Sequence, residues 1–547
     1  MAASVSTKTV YRFGTSGYRN NTEPGFNEAV VIQITAAIKD YLIETIEKTG
    51  QLMPVLLGGD TREKTRQFIP VIAQYLQAHG LDVLQSQSDI PSPVLALAAR
   101  DFRKLNPDIQ TTLGAILMTA SHNPWDYGGY NFLTPDAAVM PTPVSKQFEA
   151  NQENPLNKAL TAEQRQALGG AAEAQIVYFD GYALYRDHLN AQLKIDYPAI
   201  AAAGIQLFYD AMYATGRQYF PRLLKEAGIE ITAIHNTDVL PAGYTGMPEP
   251  TGSNLTELAD QIKTTVKPGG LAIGLANDGD ADRFGVLDEM GVPIGANDVL
   301  FLILHHLVVN KKQHGVVVRS QATTHALDAL AQHYGLEVQQ TPVGYKYIAE
   351  AFIEREEKQE KPVLIGGESS GGVSVLGHIP EKDGILACLL ITELLAYAKK
   401  PIGQVLADAQ ASLDKHYQFR ELGIKTDQGK AIIDFFIGLV ESDSPEIALQ
   451  AAGLDSSFSL DIDKTRQEAE QLIKHYNTRD GVKLYLKNNA WFLLRASGTE
   501  PIVRVYAEGV GHSEGAATQA AVQLINAITQ ILIHEFSLVE NAIKERK

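Results

Sequence analysis

Gly114-Ala115-Ile116-Leu117-Met118-Thr119-Ala120-Ser121-His122-Asn123-Pro124 runs from an apolar stretch straight into a tight polar loop. Five apolar or small residues bounded by turn residues predict a buried strand. Ser, His, Asn and Pro end it in a turn. A strand end fixes a side chain while leaving its tip exposed, so the Ser121 hydroxyl is a candidate carrier of a phosphoryl group.

Outward from this stretch, strand and helix alternate. Residues 29–47 read as a helix, 54–57 as a strand, 65–79 as a helix and 82–84 as a strand. Such alternation predicts a βαβ-type sheet. The pattern recurs with strands at 205–210, 229–234 and 271–276 and helices at 217–227 and 254–266. It recurs again with helices at 299–309, 324–334 and 384–398 and strands at 315–319, 337–340 and 362–365. Three similar mixed α/β units follow. Residues 151–174, rich in Gln, Glu, Asn and Ala, read as a solvated connector. In the last block, 482–486, 490–495 and 503–508 read as antiparallel strands and 516–536 as an amphipathic helix, an α+β unit. The expected domains are 9–180, 195–297, 298–402 and 459–547, with 403–458 as a linker.

Composition narrows the function. The 547 residues are 45% hydrophobic and 20% charged, an ordinary soluble globular chain. The net charge of −17 disfavours a nucleic-acid partner and requires any anionic substrate to find a local basic pocket. One cysteine, Cys388 in the apolar run 385–390, excludes a disulfide framework and a multi-thiolate metal site. Residues 1–10 show no apolar signal region, and no run approaches about 18 uninterrupted apolar residues. A cytoplasmic chain with no membrane partner is expected, as a monomer or a homodimer.

Further loops carry chemistry. Asn277-Asp278-Gly279-Asp280-Ala281-Asp282-Arg283 places three carboxylates at alternate positions, a set of hard oxygens suited to Mg²⁺ or Ca²⁺. An EF-hand starting at Asp278 would need Gly at its sixth position, where Arg283 stands, and helices where apolar strands flank the loop. Three ligands from one loop leave coordination positions open for a bound phosphate. Gly366-Gly367-Glu368-Ser369-Ser370-Gly371-Gly372 lets a ligand approach backbone closely and offers acceptor and donor groups to sugar hydroxyls. His378-Ile379-Pro380-Glu381-Lys382-Asp383-Gly384 supplies a histidine and a lysine before a helix. Arg495-Ala496-Ser497-Gly498-Thr499-Glu500-Pro501, with Arg504 beyond it, is a phosphate cradle by composition. Phe13 to Arg19 gives another glycine–hydroxyl–arginine loop, and Lys346 follows the turn at Gly344. Arg62, after an early strand, reads as a surface residue.

These motifs, in this order, resemble the α-D-phosphohexomutase superfamily over nearly the whole chain, from Phe13 to Tyr506. The resemblance implies a four-domain architecture: three similar α/β domains plus a C-terminal TATA-binding-protein-like α+β domain. It implies that Ser121 carries a phosphoryl group beside Mg²⁺ held by Asp278, Asp280, Asp282 and Ser121 itself. His122, Arg19 and Lys382 would act at the reacting centre. Arg495, Ser497, Gly498, Thr499 and Arg504 would hold the distal phosphate, Glu368 and Ser370 the sugar hydroxyls, and Arg283 and Lys346 further substrate charge. Phosphate would move between positions 1 and 6 of a hexose phosphate through a bisphosphate, with glucose 1,6-bisphosphate as activator. The chain departs from the family at Gly129-Tyr130-Asn131, where a lysine is usual at the third position, and at Gly367-Glu368-Ser369, where the glucose-specific branch has Glu-Glu-Ser. Lys382 resembles a lysine of that glucose-preferring branch. Mannose or glucosamine phosphates are alternative substrates, a sugar-phosphate-binding regulatory relative is an alternative role, and a serine-nucleophile phosphatase an alternative chemistry.

Overall fold

A computed structural model describes residues 9–14, 17–22, 25–242, 244–267, 269–454, 464, 467, 471, 481–496, 501–538 and 543–546. The chain divides into two compact units. Residues 1–296, 348–366 and 370–402 form the first, and residues 297–347, 367–369 and 403–547 the second.

The first unit opens with a six-stranded sheet built from β1 (Tyr18–Asn21), β2 (Val55–Gly59), β3 (Val83–Ser86), β4 (Ala115–Met118), β5 (Tyr127–Leu133) and β6 (Ile176–Phe179). Its order is β1-β5-β4-β2-β3-β6, with β4, β2, β3 and β6 parallel and β5 antiparallel to both its neighbours. Helices α1 (Glu28–Thr49), α2 (Glu63–Ala78) and α3 (Ser92–Asp101) lie between the early strands in sequence. The Asn27 side chain caps α1 by accepting from Val30 N at 3.2 Å, and Gly50 ends it in the left-handed conformation. The buried stripe Val31, Ile34, Ile38 and Leu42 of α1 joins Ile116, Met118 and Phe132 in one core, which holds the sheet under the serine strand.

After α4 (Tyr182–His188), a second sheet uses β7 (Gln206–Asp210), β8 (Thr232–Ile234), β9 (Ala272–Asn277), β10 (Phe284–Leu287) and β11 (Pro293–Ile294). Its order is β11-β10-β9-β7-β8, with β9, β7 and β8 parallel and β10 antiparallel to β9. Leu258 and Ile262 of α5 (Thr256–Thr265) pack with Phe208, Ala276 and Leu287.

The third block runs α6 (Ala296–Val309), β12 (Val316–Ser320), α7 (Ala326–His333), β13 (Glu337–Thr341), α8 (Tyr345–Glu357), β14 (Val363–Glu368), β15 (Gly372–Val375) and α9 (Gly384–Ala398). Parallel β12 and β13 belong to the second unit, and β15 and α9 to the first. Helix α9 is apolar on nearly every side and buried along nearly its whole length, with Cys388 inside it.

The C-terminal sheet of the second unit has the order β17-β18-β19-β16-β20, from β16 (His416–Lys425), β17 (Val482–Tyr485), β18 (Trp491–Ala496), β19 (Ile502–Gly511) and β20 (Ile543–Arg546). All its pairings are antiparallel. Among the described residues, α10 (Glu514–Phe536) is the one helix long and apolar enough to cross a membrane by length and composition. Its Leu524, Ile528 and Leu532 instead pack with Leu422 and Val505 in the core of this sheet. The stretch 403–458, read as a linker, is corrected here. It contains β16, hydrogen-bonded between β19 and β20, followed by helices Gly429–Val440 and Pro445–Ala451. Apolar residues alternate at Tyr417 and Phe419, then shift by one to Leu422 and Ile424, which breaks the period-2 signal of a single strand.

Candidate active site

Three of the motif loops occupy one topological position. The serine loop joins β4 to β5, the acidic loop joins β9 to β10, and the Glu368-Ser369-Ser370 loop joins β14 to β15. In the first two sheets the joined strands are antiparallel neighbours, so each loop emerges where a parallel strand ends.

A buried charge frame shapes the serine loop. Asp60 follows β2, and its Oδ2 accepts from Thr119 Oγ1 at 2.7 Å and Arg62 Nε at 2.9 Å. Thr119 Oγ1 accepts in turn from Ser121 N at 2.8 Å. Arg62 is 2% exposed, which corrects the surface reading. Its Nη2 donates to the carbonyls of Ser121 and Asn123 at 2.7 Å each, and its Nη1 to those of Pro124 and Tyr127. One guanidinium thus ties four loop carbonyls, which a lysine's point charge does not reproduce. Ser121 itself is held at φ 51°, an uncommon conformation for a residue other than glycine. Gly129 is glycine because a Cβ there would lie 2.0 Å from Thr119 O. Asn131, at the family's lysine position, is buried on β5, and its Oδ1 accepts from Phe132 N at 2.9 Å.

The acidic loop packs directly on the serine loop. A Cβ at Gly279 would come within 2.4 Å of Ser121 O, so glycine permits the approach. Ser121 Oγ donates to Asp278 Oδ2 at 2.8 Å and lies 3.2 Å from His122 Nδ1. Asp278 Oδ1 accepts from Arg283 N at 3.0 Å, closing the turn. Ser92, at the start of α3, donates its hydroxyl to Asp280 Oδ2 at 2.5 Å and its N–H to Asp280 O at 2.9 Å. Sequence reading missed Ser92, which sits far away in the chain beside nothing but apolar helix residues.

Asp278, Asp280 and Asp282 are all buried and bring one carboxylate oxygen each to within 4.8 Å of one another. Burial, reinforced by the neighbouring carboxylates, raises Asp278 well above the usual carboxylate range and raises Asp280 too. Burial also works against the Asp282 charge, but Lys382 and Arg283 outweigh it and hold that group low. Asp280 Oδ1 and Asp282 Oδ1 are buried with no hydrogen-bond partner. Buried carboxylate oxygens without partners are costly. A cluster of them with hard-oxygen chemistry fits a divalent cation.

Other predicted residues of the first unit converge here. Lys382 Nζ lies 2.7 Å from Asp282 Oδ2 and 3.1 Å from Glu381 Oε1. Arg19, on β1 opposite Gly129, donates from Nη1 to Asn123 Oδ1 at 3.0 Å. Arg283 pairs through its backbone with Gly372, which sets the acidic loop beside the Ser370-Gly371 end of the sugar loop. Gly384 N donates to Ala281 O at 3.1 Å, so α9 starts against the same turn.

The second unit holds the rest. Glu368 ends β14, and Lys346 lies in the first turn of α8 with its Nζ 4.8 Å from the Tyr347 ring centre. Arg495 near the end of β18 pairs in register with Arg504 on β19, and Arg504 Nη1 donates to Glu421 Oε1 at 2.9 Å. Ser497, Gly498 and Thr499, like Thr15 and Ser16, lie outside the described residues.

Comparison with known proteins agrees with this arrangement along the chain. Residues 11–158, 183–291 and 296–412 match phosphoglucomutase/phosphomannomutase alpha/beta/alpha domains I, II and III, and residues 461–525 match the C-terminal domain of the same family. The chain belongs to the α-D-phosphohexomutase superfamily. Its fold is the four-domain architecture of that family. A phosphoglucomutase/phosphomannomutase of Thermococcus kodakarensis is 27% identical over 91% of this chain and 94% of its own length. A phosphoglucosamine mutase of Glaesserella parasuis is 26% identical over 86% and 89%. The crystal structure of pp63/parafusin, a phosphoglucomutase from Paramecium, shares the fold with a TM-score of 0.73 at 19% identity, over 95% of each chain. This superfamily member is therefore an enzyme of the phosphohexomutase class acting on hexose phosphates.

Proposed function

We propose that this enzyme interconverts glucose 1-phosphate and glucose 6-phosphate, with Ser121 carrying the phosphoryl group. The supporting observation is the meeting of three loops at one acidic cluster: Ser121 Oγ is 2.8 Å from Asp278, and Lys382 Nζ is 2.7 Å from Asp282. Mg²⁺ held by Asp278, Asp280, Asp282 and the phosphorylated Ser121 would neutralise charge on the transferred group.

The bond from Ser121 Oγ to phosphorus breaks as the free hydroxyl of the hexose monophosphate bonds to that phosphorus. The hexose 1,6-bisphosphate turns over in the site, and its other phosphoryl group returns to Ser121. Glucose 1,6-bisphosphate reloads a serine that has lost its phosphate, and so acts as activator. Arg19 and His122 stand beside the reacting centre and stabilise its charge. The attacking hydroxyl must lose a proton. We assign to Lys382 the positive charge beside that hydroxyl, which the Asn131 amide does not supply. Arg283, Lys346, Arg495, Ser497, Gly498, Thr499 and Arg504 hold phosphate, while Glu368 and Ser370 read hydroxyls in both orientations of the sugar.

A second reading, with mannose or glucosamine phosphates as substrate, draws on the Gly367-Glu368-Ser369 departure and on the mixed names of the relatives. Turnover of glucose, mannose and glucosamine 1-phosphates, compared by kcat/KM, decides between them. Glucose is expected to lead. Intact mass should show one phosphate-sized increment that substrate discharges and that Ser121→Ala lacks. Full activity in Ser121→Ala would end the proposal.

A further inference from the structure

Helix α4 and the 378–383 loop share a buried hydrogen-bond chain that the mechanism above leaves unused. His188 Nε2 lies 3.0 Å from His378 Nδ1, and His378 Nε2 lies 2.9 Å from Asp383 Oδ2. The same oxygen accepts from Tyr185 Oη at 2.7 Å, and Asp383 Oδ1 caps α9 by accepting from Leu386 N at 2.9 Å. All four side chains are buried.

Asp383 sets one end of the chain. An ionised carboxylate only accepts, so His378 Nε2 carries the proton it gives to Asp383. With His188 as the donor from Nε2, His378 Nδ1 accepts. This leaves His188 Nδ1 as a lone pair, and that atom is buried without a hydrogen-bond partner. Burial, helped by His378 and by Arg100 and Lys104, holds His188 down to about 3, so its ring stays neutral as the chain requires. An orphaned buried acceptor is costly. A leucine would fill the space without that cost, so the donor at Nε2 is the reason for a histidine here.

The chain grips both ends of the six residues that carry Lys382. Ser374 Oγ adds a bond to Ile379 O at 2.5 Å, and Asp383 N donates to Val373 O at 2.9 Å. We infer that His188 is a positioning residue which, through His378 and Asp383, fixes the 378–383 loop so that Lys382 Nζ meets Asp282. The inference rests on the role proposed above for Lys382, and it adds a residue that never touches the substrate.

Two variants test it in the full chain. His188→Leu removes the donor, and His188→Gln keeps an N–H near the Nε2 position. Two readouts are taken: kcat and KM with glucose 1-phosphate, and acetic anhydride labelling of Lys382 mapped by mass spectrometry. His188→Leu is expected to lower kcat about tenfold with KM within twofold, and to raise Lys382 labelling several-fold. His188→Gln should bring both back towards the parent. Unchanged labelling in His188→Leu, or a glutamine variant no better than leucine, overturns the inference. If the parent chain turns over no hexose phosphate, the functional reading fails, and the labelling still decides the brace.

Discussion

The serine loop and the acidic loop stand at the same place in two successive sheets and treat buried charge in opposite ways. In the first, Asp60 and Arg62 neutralise each other, and Arg62 spends its remaining donors on loop carbonyls. In the second, Asp278, Asp280 and Asp282 crowd together, and two of their oxygens have no hydrogen-bond partner. Charge that is compensated inside the protein fixes geometry. Charge only partly compensated, as here by Lys382 at Asp282 alone, marks where something from outside belongs.

Removing the compensated cation should therefore have the largest effect on stability. Arg62→Met leaves Asp60 buried without its partner and frees four loop carbonyls. Breaking a buried pair from one side costs about 3–5 kcal/mol. Denaturant titration should show that loss, and Arg62→Lys should recover only part of it, since one ammonium cannot span the same acceptors. A loss under about 1 kcal/mol would place the frame of the loop elsewhere.

The partly compensated cluster should respond the other way. Asp280→Asn removes one of three crowded negative charges, keeps the shape and keeps an acceptor for Ser92. Turnover is expected to fall about a hundredfold or more, the scale of losing one electrostatic stabiliser. The melting temperature measured without added divalent ion should hold or rise. A lower melting temperature with turnover intact would turn the acidic loop into a structural turn and erase the contrast.

The contrast also explains what could be read from sequence. The acidic and serine loops were legible because their residues are contiguous and chemically conspicuous. The strand–helix alternation was legible because parallel strands are continuous apolar runs. Arg62 was misread because its partners are backbone carbonyls 59–65 residues away, which no local pattern encodes. Strand β5 carries Gly128 and Gly129, and glycines weaken a strand signal. They are there because Phe26 and Thr119 fill the space a Cβ would need. His188 looks like any helix residue until the fold brings His378 to it.

A third charged pair, beside the acidic loop in the second sheet, tests the contrast at its smallest scale. His235 follows β8, and its Nδ1 lies 2.9 Å from Oδ1 of Asp210, which ends the parallel neighbour β7. The hydrogen bond to Asp210 raises the imidazole above its usual value, although partial burial pulls it back. A group raised on folding stabilises fully below its unfolded value of 6.5, and that contribution fades as pH climbs through the folded value. Chain stability relative to His235→Gln should thus be greatest near pH 6 and shrink by pH 8. The difference should stay small, because this ring is partly solvated. Turnover of His235→Gln should stay within about twofold of the parent, since this charge is answered inside the sheet. Melting curves at the two pH values check the first expectation and a coupled assay the second. A pair whose margin grew with pH, or whose loss stopped turnover, would show that compensated charge at these strand ends also serves the reaction, and the line drawn between the two loops would have to move.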